Sequence, residues 1–313
     1  MIGKGAFGTV YLALNLKTGE IIAVKKLQLS PDLADYDKKL QALEKEINIL
    51  STLNHPNIVQ YLGCKIEDNV MDIIVEYVPG GSLHSMISKF GPLSETLVKQ
   101  FTRQIMSGLY YLHEKGIIHR DIKGGNILVD QYGRVKLSDF GAATKIESVT
   151  NTGTSSIAVG GSDCESITGT AYWMAPEVIK QNSYGRKCDV WSVGCTVIEM
   201  LTGIPPWSHL QPVSALFHIA SSDELPTLPS NISTDCTDFI CKCLTRDVVE
   251  RPSVKALLKH KFLLKKKEIK GKENLNLSKS EERWLIDEEK SIEEEEDIEE
   301  SSSNSVDINL GAP

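Results

Sequence analysis

The sequence predicts an α+β fold in which strands come first and helices follow, and three observations carry this. Val10-Tyr11-Leu12-Ala13-Leu14 and Ile21-Ile22-Ala23-Val24-Lys25 are β-type runs joined by the turn-forming Lys17-Thr18-Gly19-Glu20, the pattern of an antiparallel hairpin. A third run, Ile73-Ile74-Val75-Glu76-Tyr77-Val78, ends in Pro79-Gly80-Gly81. From Ser94 onward the apolar period becomes helical: Leu97, Phe101, Ile105 and Leu112 form one stripe behind Ser94 as N-cap. Residues 189–201 are apolar nearly all round, as in a core helix, and Gly203 closes them. The first-turn Asp189 is expected to cap backbone amides there.

With 313 residues and 41% apolar content, the chain can bury a sizeable core. Its seven Cys contain no CxxC pair, and the gaps within Cys236, Cys241 and Cys243 fit neither a zinc ribbon nor a knuckle. Idle thiols in a reducing compartment are the expectation. No secretory signal opens the chain and no run of about 18 apolar residues could span a bilayer, which points to the cytoplasm. The net charge of −8 is unevenly spread. Residues 281–300 hold 12 Asp/Glu against Arg283 and Lys290, a net −10, leaving +2 on the other 293. Neither charge nor motif argues for nucleic acid.

In chain order, the first chemical signal is Ile2-Gly3-Lys4-Gly5-Ala6-Phe7-Gly8-Thr9-Val10. A G-x-G-x-x-G also serves dinucleotide-binding folds, where it lies between strand and helix. Here a second strand follows it, and glycines in such a turn let backbone amides approach phosphates. Lys25 sits in an apolar strand, a costly place for an ammonium without an anion to meet. The next helical pattern, Leu40, Leu43, Ile47 and Leu50, offers Glu46 or Glu44 as that anion. Then comes His119-Arg120-Asp121-Ile122-Lys123-Gly124-Gly125-Asn126, a loop after the long helix. Asp139-Phe140-Gly141 begins thirteen residues past its Asn, behind the strand-like Arg134-Val135-Lys136-Leu137. A proton-accepting Asp, an amide and a carboxylate for hard cations, and a Lys for phosphate charge make a phosphoryl-transfer set.

Together these motifs closely resemble those of eukaryotic protein kinases, over residues 1 to about 263. The resemblance implies a bilobal fold with a small lobe over 1–78, a large helical lobe over 79–263, and ATP with Mg2+ between them. It implies that Ile2, Gly3, Lys4, Gly5, Ala6, Phe7, Gly8, Thr9 and Val10 cover the nucleotide. Val10, Ala23 and Leu128 would sandwich the adenine, Val75 would guard its rear, and backbone groups of Glu76 and Val78 would bond its edge. Lys25 would meet the phosphates and pair with Glu46, which lies nine residues before His55 as in the family. Asp121 would take the substrate proton, Lys123 would face the phosphoryl group, and Asn126 and Asp139 would hold magnesium. His119 and Phe140 would join Leu50 and Tyr61 in an apolar column, and Asp189 would support the loop from beneath. Arg251 would pair with Glu177, and Thr170 would bridge Asp121 and Lys123.

The small, polar stretch 147–168 lies where the family has its activation loop. Ser166, with Thr168 second, is the expected regulatory phosphorylation site, and Arg120, otherwise without a strong partner, would receive the phosphate. Family members commonly carry Pro in place of Ala171. Asp121-Ile122-Lys123 has the Lys of serine/threonine kinases. Gly124-Gly125-Asn126, Tyr172-Trp173-Met174-Ala175-Pro176-Glu177 and Leu216-Phe217-His218-Ile219-Ala220 look most like the mitogen-activated kinase kinase kinases, with the Ste20-like kinases next. The substrate would then be a downstream kinase and the activator an upstream one. The competing class is a pseudokinase scaffold, which usually lacks one of Lys25, Asp121 or Asp139. Only Met1 and Ile2 precede Gly3, so the start is expected to be that of a fragment or a mis-chosen Met. Residues 264–313, with Trp284-Leu285-Ile286 as their apolar cluster, read as a disordered acidic tail.

Overall fold

Alternation in the early runs folds them into a five-stranded antiparallel sheet of order β1-β2-β3-β5-β4. Its strands are β1 (Gly3–Gly5), β2 (Gly8–Leu14), β3 (Ile21–Gln28), β4 (Tyr61–Glu67) and β5 (Val70–Glu76). The computed structural model describes residues 1–5, 8–28, 44, 46–67, 69–145, 170–181 and 185–264. Ala6, Phe7, Leu40, Leu43, the stretch 147–168 with Ser166 and Thr168, and 265–313 with Trp284 lie outside them.

The first hairpin turns where expected: Gly19 has φ 76°, and its N–H donates to Asn15 O at 2.8 Å. β2 pairs with β3 in the register Val10–Lys25 and Leu12–Ala23. On β3 the side chains of Ala23, Lys25 and Leu27 share one face by the period of two. That face meets the helix whose residues 46–51 are described (α1).

Past β5 the chain turns helical. α2 (Leu83–Phe90) is capped by Ser82 and α3 (Glu95–Glu114) by Ser94, whose Oγ accepts from Leu97 N. Phe101, Ile105 and Leu112 of the predicted stripe are buried, while Leu97 at its edge is half-buried. Two short ribbons follow, β7 (Ile127–Val129) with β8 (Val135–Leu137), and β6 (Ile117–Ile118) with β9 (Thr144–Lys145). After α4 (Pro176–Ile179) comes α5 (Lys187–Thr202), buried at every position from Cys188 to Met200 and ended by Gly203 at φ 85°. α6 (Pro212–Ser221), α7 (Thr234–Cys243) and α8 (Val254–Leu258) pack around this lower core. The compact unit runs Met1–Leu264. Among the described residues no helix is long and apolar enough to cross a membrane.

Candidate active site

The sheet, α1, the 119–126 loop and the turn after β8 bring their polar side chains to one place. Lys25 projects from β3 with its ammonium 3.0 Å from Glu46 Oε1 and 3.2 Å from Asp139 Oδ1. Burial opposes the charge on Lys25, yet Asp139 and Glu46 outweigh it and hold the ammonium above its ordinary range. Burial likewise opposes the Asp139 carboxylate, and Lys25 more than compensates, drawing it below the usual range. Glu46 is buried and Glu44 exposed, which decides between the two candidates.

The loop from His119 to Asn126 wraps around Asp121. Lys123 Nζ lies 2.9 Å from both carboxylate oxygens, and Asn126 Nδ2 donates to Oδ2 at 2.6 Å. Thr170 closes the ring, donating to Asp121 Oδ1 at 3.1 Å while accepting from Lys123 at 2.7 Å. His119 Nδ1 accepts from the Asp121 amide, so its Nε2 carries the proton and donates to Ser138 O at 3.1 Å. Its ring also packs on Phe140, centroids 4.9 Å apart. Arg120 and Asp139, at φ 70° and 60°, take left-handed backbone conformations that cost about 1–3 kcal/mol each.

Asp189 supports the loop from beneath, as the resemblance implies, and does not cap its own helix. Its helix has no side-chain cap; the carboxylate instead reaches the loop, accepting from His119 N at 3.0 Å and Arg120 N at 2.8 Å. It also meets His113 Nε2 at 2.8 Å. Arg120, expected to wait for a phosphate, already donates to Thr144 Oγ1 at 2.8 Å, bracing the β6–β9 ribbon. Arg251 does pair with Glu177, at 2.7 and 3.0 Å.

The glycine turn lies between β1 and β2, where Gly3 pairs with Val10 and Gly5 with Gly8. A strand after the turn excludes the dinucleotide-binding arrangement. Gly8 has φ 143°, and an added Cβ would stand 2.3 Å from Lys26 O, so β3 admits only glycine there. Behind the cleft, Val75 pairs with Ala23 across β3 and β5, and Val78 is buried. The Glu76 N–H is committed to Gln60 O. Its carboxylate, which the motifs did not single out, accepts from Gln60 N at 2.7 Å and Lys136 Nζ at 2.8 Å, tying the start of the connector to β8. Val10 and Leu128 are half-buried.

The donor set suits a hard cation. Asn126 spends its amide nitrogen on Asp121, leaving Oδ1, and the Asp139 carboxylate meets Lys25 through Oδ1 and also accepts from the Gly141 amide. Carboxylate and amide oxygens are what a magnesium-type ion takes. Among the described residues no three or more His, Cys, Asp or Glu gather as a metal site.

Against known proteins, residues 1–263 match the family model described as protein kinase domain. The chain is 46% identical over 278 residues to mitogen-activated protein kinase kinase kinase 2 of Arabidopsis thaliana, covering 87% of this chain and 41% of that one. It is 45% identical over 267 residues to mitogen-activated protein kinase kinase kinase A of Dictyostelium discoideum, covering 84% and 27%. Mitogen-activated protein kinase kinase kinase 3 of Homo sapiens is 45% identical over 264 residues, covering 84% and 41%. The chain thus spans less than half the length of these relatives.

Proposed function

The chain belongs to the protein kinase domain family, and from that premise we propose that it is an ATP-dependent serine/threonine protein kinase of the mitogen-activated kinase kinase kinase group. Its substrate would be a downstream kinase, its activator an upstream kinase, and its place the cytoplasm. The observation that carries this reading is the Lys25 ammonium shared between Glu46 and Asp139, 3.0 and 3.2 Å away. One cation there joins the sheet, α1 and the carboxylate suited to a metal ion.

In this reading Lys25 orients the phosphates, and Val10, Ala23, Leu128 and the backbone of Glu76 and Val78 seat the adenine. Asp121 accepts the proton of a substrate Ser or Thr hydroxyl as its oxygen bonds the γ-phosphorus and the bond to the β-phosphate oxygen breaks. Lys123 faces the charge on the transferring group. Asn126 and Asp139 would hold Mg2+, which when bound neutralises phosphate charge. Thr170, bridging Asp121 and Lys123, shapes the site for a hydroxyl.

The test is transfer of labelled phosphate from ATP, with Mg2+, to a generic protein substrate. Labelled Ser or Thr is expected, and Asp121→Asn should lower kcat by about 10²–10⁴ while ATP binding persists. No transfer by the native chain, or normal turnover by the variant, would overturn the reading.

A further inference from the structure

Side chains alternate along β3, so Lys26 points away from the face that carries Lys25 and lies on the outer side of the sheet. Register builds a row across four strands there: Thr9 opposite Lys26, Lys26 opposite Asp72, and Asp72 opposite Lys65. Two residues along, at about 7 Å, Val70 stands opposite Glu67. These rows line a hollow of about 440 Å³ with Tyr11 in its wall. That volume is in the range of small-molecule sites.

The hollow holds both signs of charge at different depths. Asp72 is the least exposed of them, at 24%, and its Oδ2 takes the Lys26 ammonium at 3.1 Å. Its Oδ1 is buried and has no hydrogen-bond partner among the described residues. A buried carboxylate oxygen without a donor is costly. The rim is formed by Lys65 and Glu67, paired with each other and 61% and 65% exposed. An exposed pair contributes little, so a ligand can take over either head at small cost.

The lining selects its ligand by elimination. A bare anion would meet two carboxylates, and a metal cation would meet two ammonium groups. An apolar molecule would strip water from all four charges. What fits carries both signs: a donor head for Asp72 and an acid group for the lysines. A guanidinium suits the head better than an ammonium, because its planar fork gives several donors at once and stacks on an aromatic face such as that of Tyr11. A three-methylene stem covers the distance between the two rows and lies along Val70.

We propose that this hollow binds a small zwitterion with a guanidinium side chain, of which the amino acid arginine is the simplest. Its guanidinium takes Asp72, its carboxylate takes Lys26 and Lys65, and its α-ammonium takes Glu67. The ligand sits against the rear of the glycine turn, since the Lys26 carbonyl fills the space behind Gly8.

The experiment is calorimetric titration of L-arginine into the full chain, where one saturable site is expected. Asp72→Asn should weaken binding about 10- to 100-fold, the scale of lost bonds between charged groups. Citrulline, whose head is uncharged, and agmatine, which lacks the carboxylate, should each bind at least about tenfold more weakly. Saturating adenylyl imidodiphosphate should leave arginine binding in place. No saturable binding up to about 10 mM, unchanged affinity in Asp72→Asn, or competition by the nucleotide analogue would overturn the proposal. If Asp72→Asn does not fold, equal affinity in Lys65→Ala overturns it instead. N-acetyl-arginine amide keeps the head without either terminal charge. Equal binding of that amide would assign the hollow to an arginine side chain of a partner protein and overturn the proposal too. The readout is binding, so the result is independent of phosphate transfer.

Discussion

Arg251 grips Glu177 with two nitrogens on two oxygens, at 2.7 and 3.0 Å, and both side chains are buried. The guanidinium also donates to Thr245 O and Lys187 O and lies over the Trp191 ring, 5.2 Å from its centroid. Removing one partner strands the other charge in the core. Arg251→Ala or Glu177→Ala should therefore cost about 3–5 kcal/mol in urea unfolding. Arg251→Lys should recover little, because one ammonium cannot replace a planar fork with four bonds. A loss below about 1 kcal/mol would show that the pair is incidental.

Lys25 sits between two anions of different origin, and its removal should act on turnover more than on folding. Lys25→Met should cripple phosphate transfer, and Glu46→Gln should lower kcat with it, since Glu46 fixes the ammonium. Glu44→Gln, on an exposed side chain, should be near native. Equal kinetics for Glu46→Gln and the native chain would contradict this, read from initial rates at saturating ATP.

His55 gives the fold a defined weakness in acid. Burial, then the charge of Lys136, push its imidazole down to about 4 from an ordinary 6.5. Its Nδ1 accepts from Asn57 N at 3.0 Å, a bond that requires the neutral ring. Because the folded value is depressed, the unfolded chain binds the proton first. The stabilisation is whole above pH 6.5 and is lost as pH falls towards 4. The gap corresponds to about 3 kcal/mol. Between pH 7 and 4.5 the native chain should lose more unfolding free energy than His55→Asn; parallel losses would refute the assignment.

Gly80 lies where the connector after β5 passes β7. A Cβ there would stand 2.2 Å from Val129 O and 3.0 Å from Val129 C, both backbone atoms that cannot swing aside. Gly80→Ala should cost about 1–3 kcal/mol as an overpacking change. It should also weaken ATP binding several-fold, because Leu128 moves with that strand. Calorimetric titration of ATP into native and variant protein gives the answer, and equal affinity would count against the adenine assignment.

What was legible in the sequence was what local chemistry writes. The Lys17-Thr18-Gly19-Glu20 turn, the Ser94 cap and the Gly203 stop each depend on a few adjacent residues, and each formed. Motif spacing brought Lys25, Asp121, Lys123, Asn126 and Asp139 together because strand and loop lengths fix where such residues emerge. The choice of Glu46 over Glu44 had to wait for the helix phase. Local position alone reads Asp189 as a cap for its own helix, and only the family resemblance points it to the loop, because its targets lie 69 and 70 residues earlier. The Glu76–Lys136 bond spans 60 residues and leaves no periodic trace. Glu199 had a signal: with Asp189 it is one of two acids in the apolar stretch 189–201, and a polar residue kept in a core helix marks something it must hold.

The bonds that Asp189 and Glu199 make to the amides of the 119–126 loop have a consequence for how the chain is made. His119, Arg120 and Gly124 leave the ribosome before Asp189 and Glu199, their partners 69 to 75 residues downstream. At about 5–20 residues per second that interval is roughly 3–15 s. During it the loop amides have water for partners and Asp121 has no fixed place. The sheet and α3 can form on the nascent chain, since their contacts are already translated. A nascent chain stopped before α5 would thus be a partly folded body in which the 119–126 loop lacks its anchors, and the proposed transfer could begin only after α5 is translated.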